Sequence, residues 1–180
     1  MSVRMALLAM LDSGGSSHGF VLKQRYDSLF PYSGELKYGQ VYSTLARLER
    51  DGLTAGVGVE KGEGADRRVY AITEDGVHEL DAWLSRASFP GGRPSELFTR
   101  VVLAIVSGRP AEEVLAVQRA AYLARMREIT ASRHDGDAID RLAGDFEMAH
   151  LEADLRWVEL AGTRLAGLAD EVGPRPGAPS

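Results

Sequence analysis

The chain contains no cysteine. A disulfide framework, a thiol nucleophile and a thiolate-held zinc or iron–sulfur site are therefore excluded. No apolar run approaches the ~18 residues needed to cross a bilayer. The apolar stretch Met5–Leu11 is too short, and lacks the basic flank, for a secretory leader, so a cytoplasmic protein is expected. Basic residues are not in excess: 21 Lys and Arg stand against 26 Asp and Glu, a formal net charge of -5. Taken alone, that balance disfavours nucleic acid as a partner. Catalytic signatures are missing as well. There is no G-x-S-x-G elbow and no phosphate-binding G-x-x-x-x-G-K-[ST]. Glu147-Met-Ala-His150 has the E-x-x-H spacing of di-iron bundles, but those need two copies and further glutamates. His78-Glu79 lacks the second histidine of a zinc protease motif. The expectation is a protein that is not an enzyme, with no cofactor and no metal.

What is present is a succession of short elements. Residues 3–11 are apolar and rich in helix formers, and Asp12–Ser17 is a turn cluster. His18–Leu29 reads as a second helix capped by Ser16 or Ser17, with His18 helping to cap or pack its first turn. Phe20, Leu22, Tyr26 and Leu29 are its apolar positions, and the break follows at Pro31–Gly34. Tyr38–Asp51 is a third helix closed by Gly52, in the position past a helix end that favours glycine. Alternation at Val57 and Val59, and at Val69, Ala71 and Thr73, predicts two strands, Leu53–Glu60 and Arg67–Thr73, around a Gly-rich loop. Thr73 is placed to cap a fourth helix whose buried face is Val77, Leu80, Trp83 and Leu84. Three helices, a hairpin and a helix make a winged helix-turn-helix, in which the third helix enters a DNA groove and the hairpin forms the wing.

On a wheel at ~100° per residue, Val41, Leu45 and Leu48 share one face of the third helix. The opposite face holds Gly39, Gln40, Ser43, Ala46, Arg47 and Arg50, with no acid and no bulky apolar group. Gly39 and Ala46 would let the backbone come close to another surface. Gln40 suits a bidentate pair with adenine, and Arg47 one with guanine or a phosphate. Lys37, Tyr38, Tyr42, Ser43 and Arg50 suit backbone contacts. The competing reading is the solvated face of any amphipathic helix. The basic wing residues Lys61, Arg67 and Arg68 tilt the balance toward DNA, although Glu60, Glu63 and Asp66 dilute them.

These segments resemble the PadR family of transcriptional regulators. The matching stretches are Ala6–Leu11, His18–Lys23, Tyr38–Leu53 and Arg68–Gly76, within about residues 5–84. One departure is Ser43, where the family often has proline. The later stretch Asp145–Leu160 is similar to the longer helical domain of one PadR subgroup. The resemblance implies a homodimeric repressor that binds an inverted-repeat operator in double-stranded DNA and is released by a small molecule.

Beyond the linker Pro90–Pro94 the chain reads as helical over roughly 95–107, 110–133 and 137–169, with Pro110 at a first helical position and Asp135-Gly136 as a break. In the last helix Ile139, Leu142, Phe146, Ala149, Ala153 and Leu160 form one stripe, and Leu151, Leu155, Val158 and Leu165 a second. A helix apolar on two faces needs two partners. The 110–133 helix supplies one through Leu115, Tyr122, Met126 and Ile129; a second copy of the chain is expected to supply the other. Leu142, Phe146, Leu151, Leu155, Val158 and Leu165 are accordingly the expected dimerisation residues. Trp157 leads a set of candidate effector-lining residues with Phe98, Tyr122, Met126 and Phe146, suited to an aromatic or amphipathic compound. The ordinary reading of each is core packing.

The expected fold is thus mainly α with a small β-hairpin wing. A winged helix-turn-helix (1–88) precedes a C-terminal antiparallel helical dimerisation domain (95–172), and a disordered tail covers 173–180. The alternative function is a protein–protein interaction module that keeps the winged fold without binding DNA.

Overall fold

The computed structural model describes residues 2–30, 35–60, 67–87, 94–132 and 137–172. The Gly-rich hairpin loop with Lys61, the breaks at Pro31–Gly34 and Asp135-Gly136, most of the 90–94 linker and the 173–180 tail lie outside them.

The first helix, α1 (Val3–Gly14), starts at Ser2, whose hydroxyl accepts from the Met5 N–H. Met5 through Leu11 are all buried. A helix apolar around its whole circumference must be surrounded, and α1 packs against α2, α3 and α4 of the winged half. A two-residue strand, β1 (Ser17–His18), leads directly into α2 (Gly19–Leu29). This strand is the first departure from expectation, since two residues carry no readable period. It also moves the helix cap. Residues 17 and 18 are extended to pair with a later strand, so His18 caps α2, its Nδ1 accepting from the Val21 N–H at 3.4 Å, in place of Ser16 or Ser17.

Helix α3 (Tyr38–Arg50) ends at Asp51 and Gly52, and Gly52 takes φ +75°, the left-handed conformation that favours glycine. Strands β2 (Thr54–Glu60) and β3 (Arg67–Ile72) follow, and the antiparallel sheet runs β1-β3-β2. Thr54 pairs with Ile72 and Glu60 with Arg67, with a register shift between Gly56 and Gly58. Val57 and Val59 do not turn one face to the core; they are 56% and 62% exposed. Past Thr54, β2 is an exposed edge strand, while Val69 and Tyr70 opposite it on the central strand β3 are buried.

Helix α4 (Glu74–Leu84) begins where Thr73 Oγ1 accepts from the Gly76 N–H at 3.1 Å and donates to the Gly52 carbonyl at 2.7 Å. This ties the base of the wing to the end of α3. Leu80 and Leu84 are buried, while Val77 and Trp83 are half-buried. The remaining helices are α5 (Pro94–Val106), α6 (Ala111–Ser132) and α7 (Ala138–Val172). Pro110 falls just before α6, not inside it. One continuous apolar cluster extends from Met5 on α1 to Leu165 on α7. No helix of the structure, among the described residues, is long and apolar enough to cross a membrane.

Candidate nucleic-acid interface

The two faces of α3 separate as the wheel predicts. Val41, Thr44, Leu45 and Leu48 are buried, and Gly39, Gln40, Tyr42, Ser43, Ala46, Arg47 and Arg50 are exposed. Lys37 sits at the start of the helix, exposed, with no side-chain capping bond. Arg47 lies along its own helix, donating through Nε to the Ser43 carbonyl at 3.2 Å. Ser43 Oγ in turn donates to the Gln40 carbonyl at 3.1 Å. These are weak exposed bonds that a base edge or phosphate can replace.

Two tyrosines brace the first turn of α3. Tyr38 stacks on Phe20 with ring centroids 5.8 Å apart, and Lys23 Nζ lies 5.2 Å from the Tyr38 ring. Lys23 is held by Asp27 at 2.8 Å and Glu35 at 2.5 Å, carboxylates that keep its ammonium charged. From the wing, Arg67 sits 5.4 Å over the other side of this assembly, on the Phe20 ring. Arg67, Phe20, Tyr38 and Lys23 therefore form a column of cation–π and stacking contacts. It fixes the wing strand against α2 and the start of α3. Tyr42 is 44% exposed, yet its ring covers Gly19, where a Cβ would lie 2.7 Å from Cε1. The tyrosine edge and the glycine are thus matched in shape.

The wing and the C-terminal end of α3 carry counter-charges that sequence reasoning missed. Arg68 Nη2 donates to Glu49 Oε1 at 2.5 Å and its guanidinium lies 5.5 Å over Tyr70. Arg50 meets Asp51 at 3.3 Å. Asp51 also accepts from Arg4 at 2.7 Å, and this hydrogen bond is the main cause that holds its carboxyl below the usual range. Arg4 enters the site from α1. With Ser2, Val3, Gln40, Thr44 and Arg47 it lines a hollow of about 300 Å³ beside the exposed face of α3. Its one sequence signal is a basic residue directly before an apolar run, which is too common to single out. Lys61 lies outside the described residues.

In the helical half the expected dimerisation residues divide. Leu151, Val158 and Leu165 are buried and Leu155 half-buried, all within the chain's own core, so they are taken up by α5 and α6 and not left for a partner. Leu142 and Phe146 are 70% and 67% exposed, as are Ile139 and Leu160 at 76% and 48%. The stripes are as read; only the first is open. The five candidate effector-lining residues differ in their surroundings. Tyr122 is buried, and burial followed by the nearby Asp154 pushes its phenol up to about 12. Met126 and Trp157 pack against the core. Phe98 meets Phe30 edge-on, and Phe146 lies on His150 at 4.2 Å. A second hollow of about 310 Å³, lined by Leu84, Arg109, Pro110 and Val117 among others, contains none of these five. The E-x-x-H pair is likewise accounted for locally: Glu147 accepts a bidentate pair from Arg125 at 2.7 and 2.9 Å. Among the described residues there is no cluster of three metal-ligating side chains.

Residues 7–82 match the model of the transcriptional regulator PadR-like family. The chain is 31% identical over 99 residues to the probable transcriptional regulator Rv1176c of Mycobacterium tuberculosis, an alignment covering 54% of this chain and 52% of that protein. The chain thus spans about half the length of that relative. Among solved structures, it is similar to Bacillus subtilis PadR in complex with operator DNA, at 19% identity, 92% and 98% coverage and a TM-score of 0.45. It is similar to the same protein in complex with p-coumaric acid at 18% identity, 93% and 97% coverage and a TM-score of 0.38.

Proposed function

From the premise that the chain carries a PadR-like transcriptional-regulator domain over residues 7–82, we propose that it is a sequence-specific DNA-binding regulator. It acts as a homodimer on an inverted-repeat operator in double-stranded DNA. The observation that carries this reading is the exposed, acid-free face of α3, with Gln40, Ser43 and Arg47 upward and Val41, Leu45 and Leu48 locked into the core. Gln40 and Arg47 read base edges. Lys37, Tyr42, Ser43 and Arg67 contact the backbone, and Arg50, Lys61 and Arg68 extend that contact from the helix end and the wing.

The dimer is supported by the open stripe on α7. Ile139, Leu142, Phe146, Ala149 and Ala153 recur at alternating steps of three and four residues, the repeat of a helix seam. Several large apolar side chains exposed in one line are unusual for a monomer. Twofold pairing there sets two α3 helices for successive major grooves, about 34 Å apart. Repression, and release by an aromatic or amphipathic compound bound in the helical half, complete the proposal, with the protein in the cytoplasm and without catalytic activity. The test is selection of bound fragments from genomic DNA by the purified protein, followed by a salt titration on the selected fragment. A common palindromic element with a falling affinity in salt is expected. No salt-dependent shift on any duplex overturns it in favour of a protein-interaction module.

A further inference from the structure

Not every arginine on the DNA-facing edge is available to a phosphate. Arg4 on α1, Arg50 at the end of α3 and Arg68 on β3 surround the C-terminal end of α3, and each is paired with a carboxylate. Two acids do this. Glu49 Oε1 accepts from Arg68 at 2.5 Å and from the Gly56 backbone N–H at 3.1 Å. Asp51 accepts from Arg4 at 2.7 Å and from Arg50 at 3.3 Å. The carboxylates are 28% and 33% exposed and the Arg68 and Arg50 side chains 56% and 72%, so the pairs face water and can exchange partners. Lys37, Arg47 and Arg67, by contrast, have no carboxylate partner among the described residues.

Resting on the DNA-binding reading above, we propose that Glu49 and Asp51 are specificity-determining residues. They act as an internal counter-charge that holds Arg68, Arg50 and Arg4 until DNA phosphates displace it. Carboxylate and phosphate offer a guanidinium the same bidentate geometry, so the exchange needs no rebuilding of the edge. Its consequence is discrimination. On arbitrary duplex, displacing the acids is repaid only by phosphate contacts, and the freed carboxylates take up cations that offset the counterions DNA gives off. On the proper site, the base contacts of α3 add to the balance and the exchange goes through. The acids thus suppress binding to arbitrary sequence more than they suppress binding to the operator. Glu49 also anchors Gly56 at the root of β2, so Arg68 is delivered at a fixed place on the wing.

The experiment uses the full chain and two duplexes: a mixed-sequence duplex of two helical turns, and a fragment selected from genomic DNA. Affinity is read by fluorescence anisotropy across a salt series. The variants are Glu49→Gln, which keeps the acceptor oxygen for Gly56, and Asp51→Asn. Glu112→Gln, an exposed acid on α6, matches the charge change away from the edge. Glu49→Gln is expected to bind the mixed duplex about two- to tenfold tighter at low salt. Its salt dependence should steepen by about one unit of slope, the ~0.9 per phosphate of one freed arginine. The operator should gain less, and Glu112→Gln should do neither. Adding Arg68→Ala to Glu49→Gln should remove the gain. An unchanged slope in both Glu49→Gln and Asp51→Asn, while the parent binds DNA, overturns the proposal and leaves the DNA reading standing. The same holds if Glu112→Gln steepens the slope equally, since the effect is then net charge alone. A parent that binds neither duplex overturns the DNA reading itself. Thermal midpoints accompany each variant; if Glu49→Gln unfolds early, Asp51→Asn decides.

Discussion

Gly39 gives two quantities that should move in opposite directions. It lies in the first turn of α3, exposed, and a Cβ built there meets nothing within 4 Å. Its φ is not in the left-handed region, so alanine fits the backbone without strain. Replacing Gly39 with alanine therefore removes unfolded-chain entropy and improves helix propensity at no steric cost. In a helix interior that is worth about 0.8–1 kcal/mol; in a first turn about 0.5 kcal/mol is a fair figure. For a chain of this size that raises the melting temperature by about 1–2 °C. The same methyl group stands on the face proposed to enter the groove, beside Gln40 and Ser43. If the α3 backbone approaches the bases or phosphates there, the methyl displaces it and weakens the contacts around it. The loss is on the order of 1–3 kcal/mol, the scale of one spoiled base contact, or about five- to 150-fold in affinity. Circular dichroism reads the first quantity and anisotropy on a selected operator fragment the second. A more stable variant that binds DNA as well as the parent refutes the placement of this face against DNA. A less stable variant refutes the reading of the open space around Gly39.

Gly76 makes the contrary case: a Cβ there would lie 2.2 Å from the Leu53 carbonyl oxygen, which accepts from the Thr73 N–H. Gly76→Ala should cost on the order of 2–4 kcal/mol through overpacking and a broken buried bond, seen as a lower urea midpoint. Arg47→Ala should lose about 1–3 kcal/mol on the operator if Arg47 meets a base, whereas equal loss on random duplex assigns it to a phosphate. Phe146→Glu places a charge in the open α7 stripe; sedimentation should show monomer where the parent is a dimer, and an unchanged mass removes Phe146 from the interface. The Arg125 hydrogen bonds hold the Glu147 carboxyl below its ordinary range. Its contribution to stability is therefore full above the unfolded carboxylate value and lost as pH falls through the folded one. Arg125→Gln should lower the urea midpoint at neutral pH, with the gap from the parent closing as the pH drops below about 4.

Local signals carried most of the fold. Gly52 and Thr73 mark the end of α3 and the start of α4 through conformations and bonds that depend only on nearby residues. The two faces of α3 follow from its period alone. What stayed hidden depends on residues distant in sequence. Strand β1 exists only because Ser17 and His18 find Tyr70 and Val69. The pairing of Arg68 with Glu49, and of Arg4 with Asp51, crosses from one element to another, so charge counts could show only that acids dilute the basic edge. On α7 both apolar stripes were legible, but which one faces inward is decided by how α5 and α6 pack, and nothing within the helix itself tells the two apart.

The packing also explains why the winged half is not isolated from the helical half. Helix α1 is buried along its length and touches α3 on one side and α5 on another. Arg109, in the turn between α5 and α6, reaches back to Asp12 at the end of α1 at 2.5 Å and to Asp81 on α4. Arg100 on α5 donates to the Arg86 carbonyl beyond α4 and lies 4.9 Å over the Trp83 ring. These two arginines are largely sheltered from water, at 19% and 6% side-chain exposure, so their bonds are screened less than those around α3. The arginine contacts are therefore of two kinds. Those around α3 face solvent. Those of Arg109 with Asp12 and Asp81, and of Arg100 with the Arg86 carbonyl and the Trp83 ring, hold α1 and α4 to the helical half, where little water reaches them.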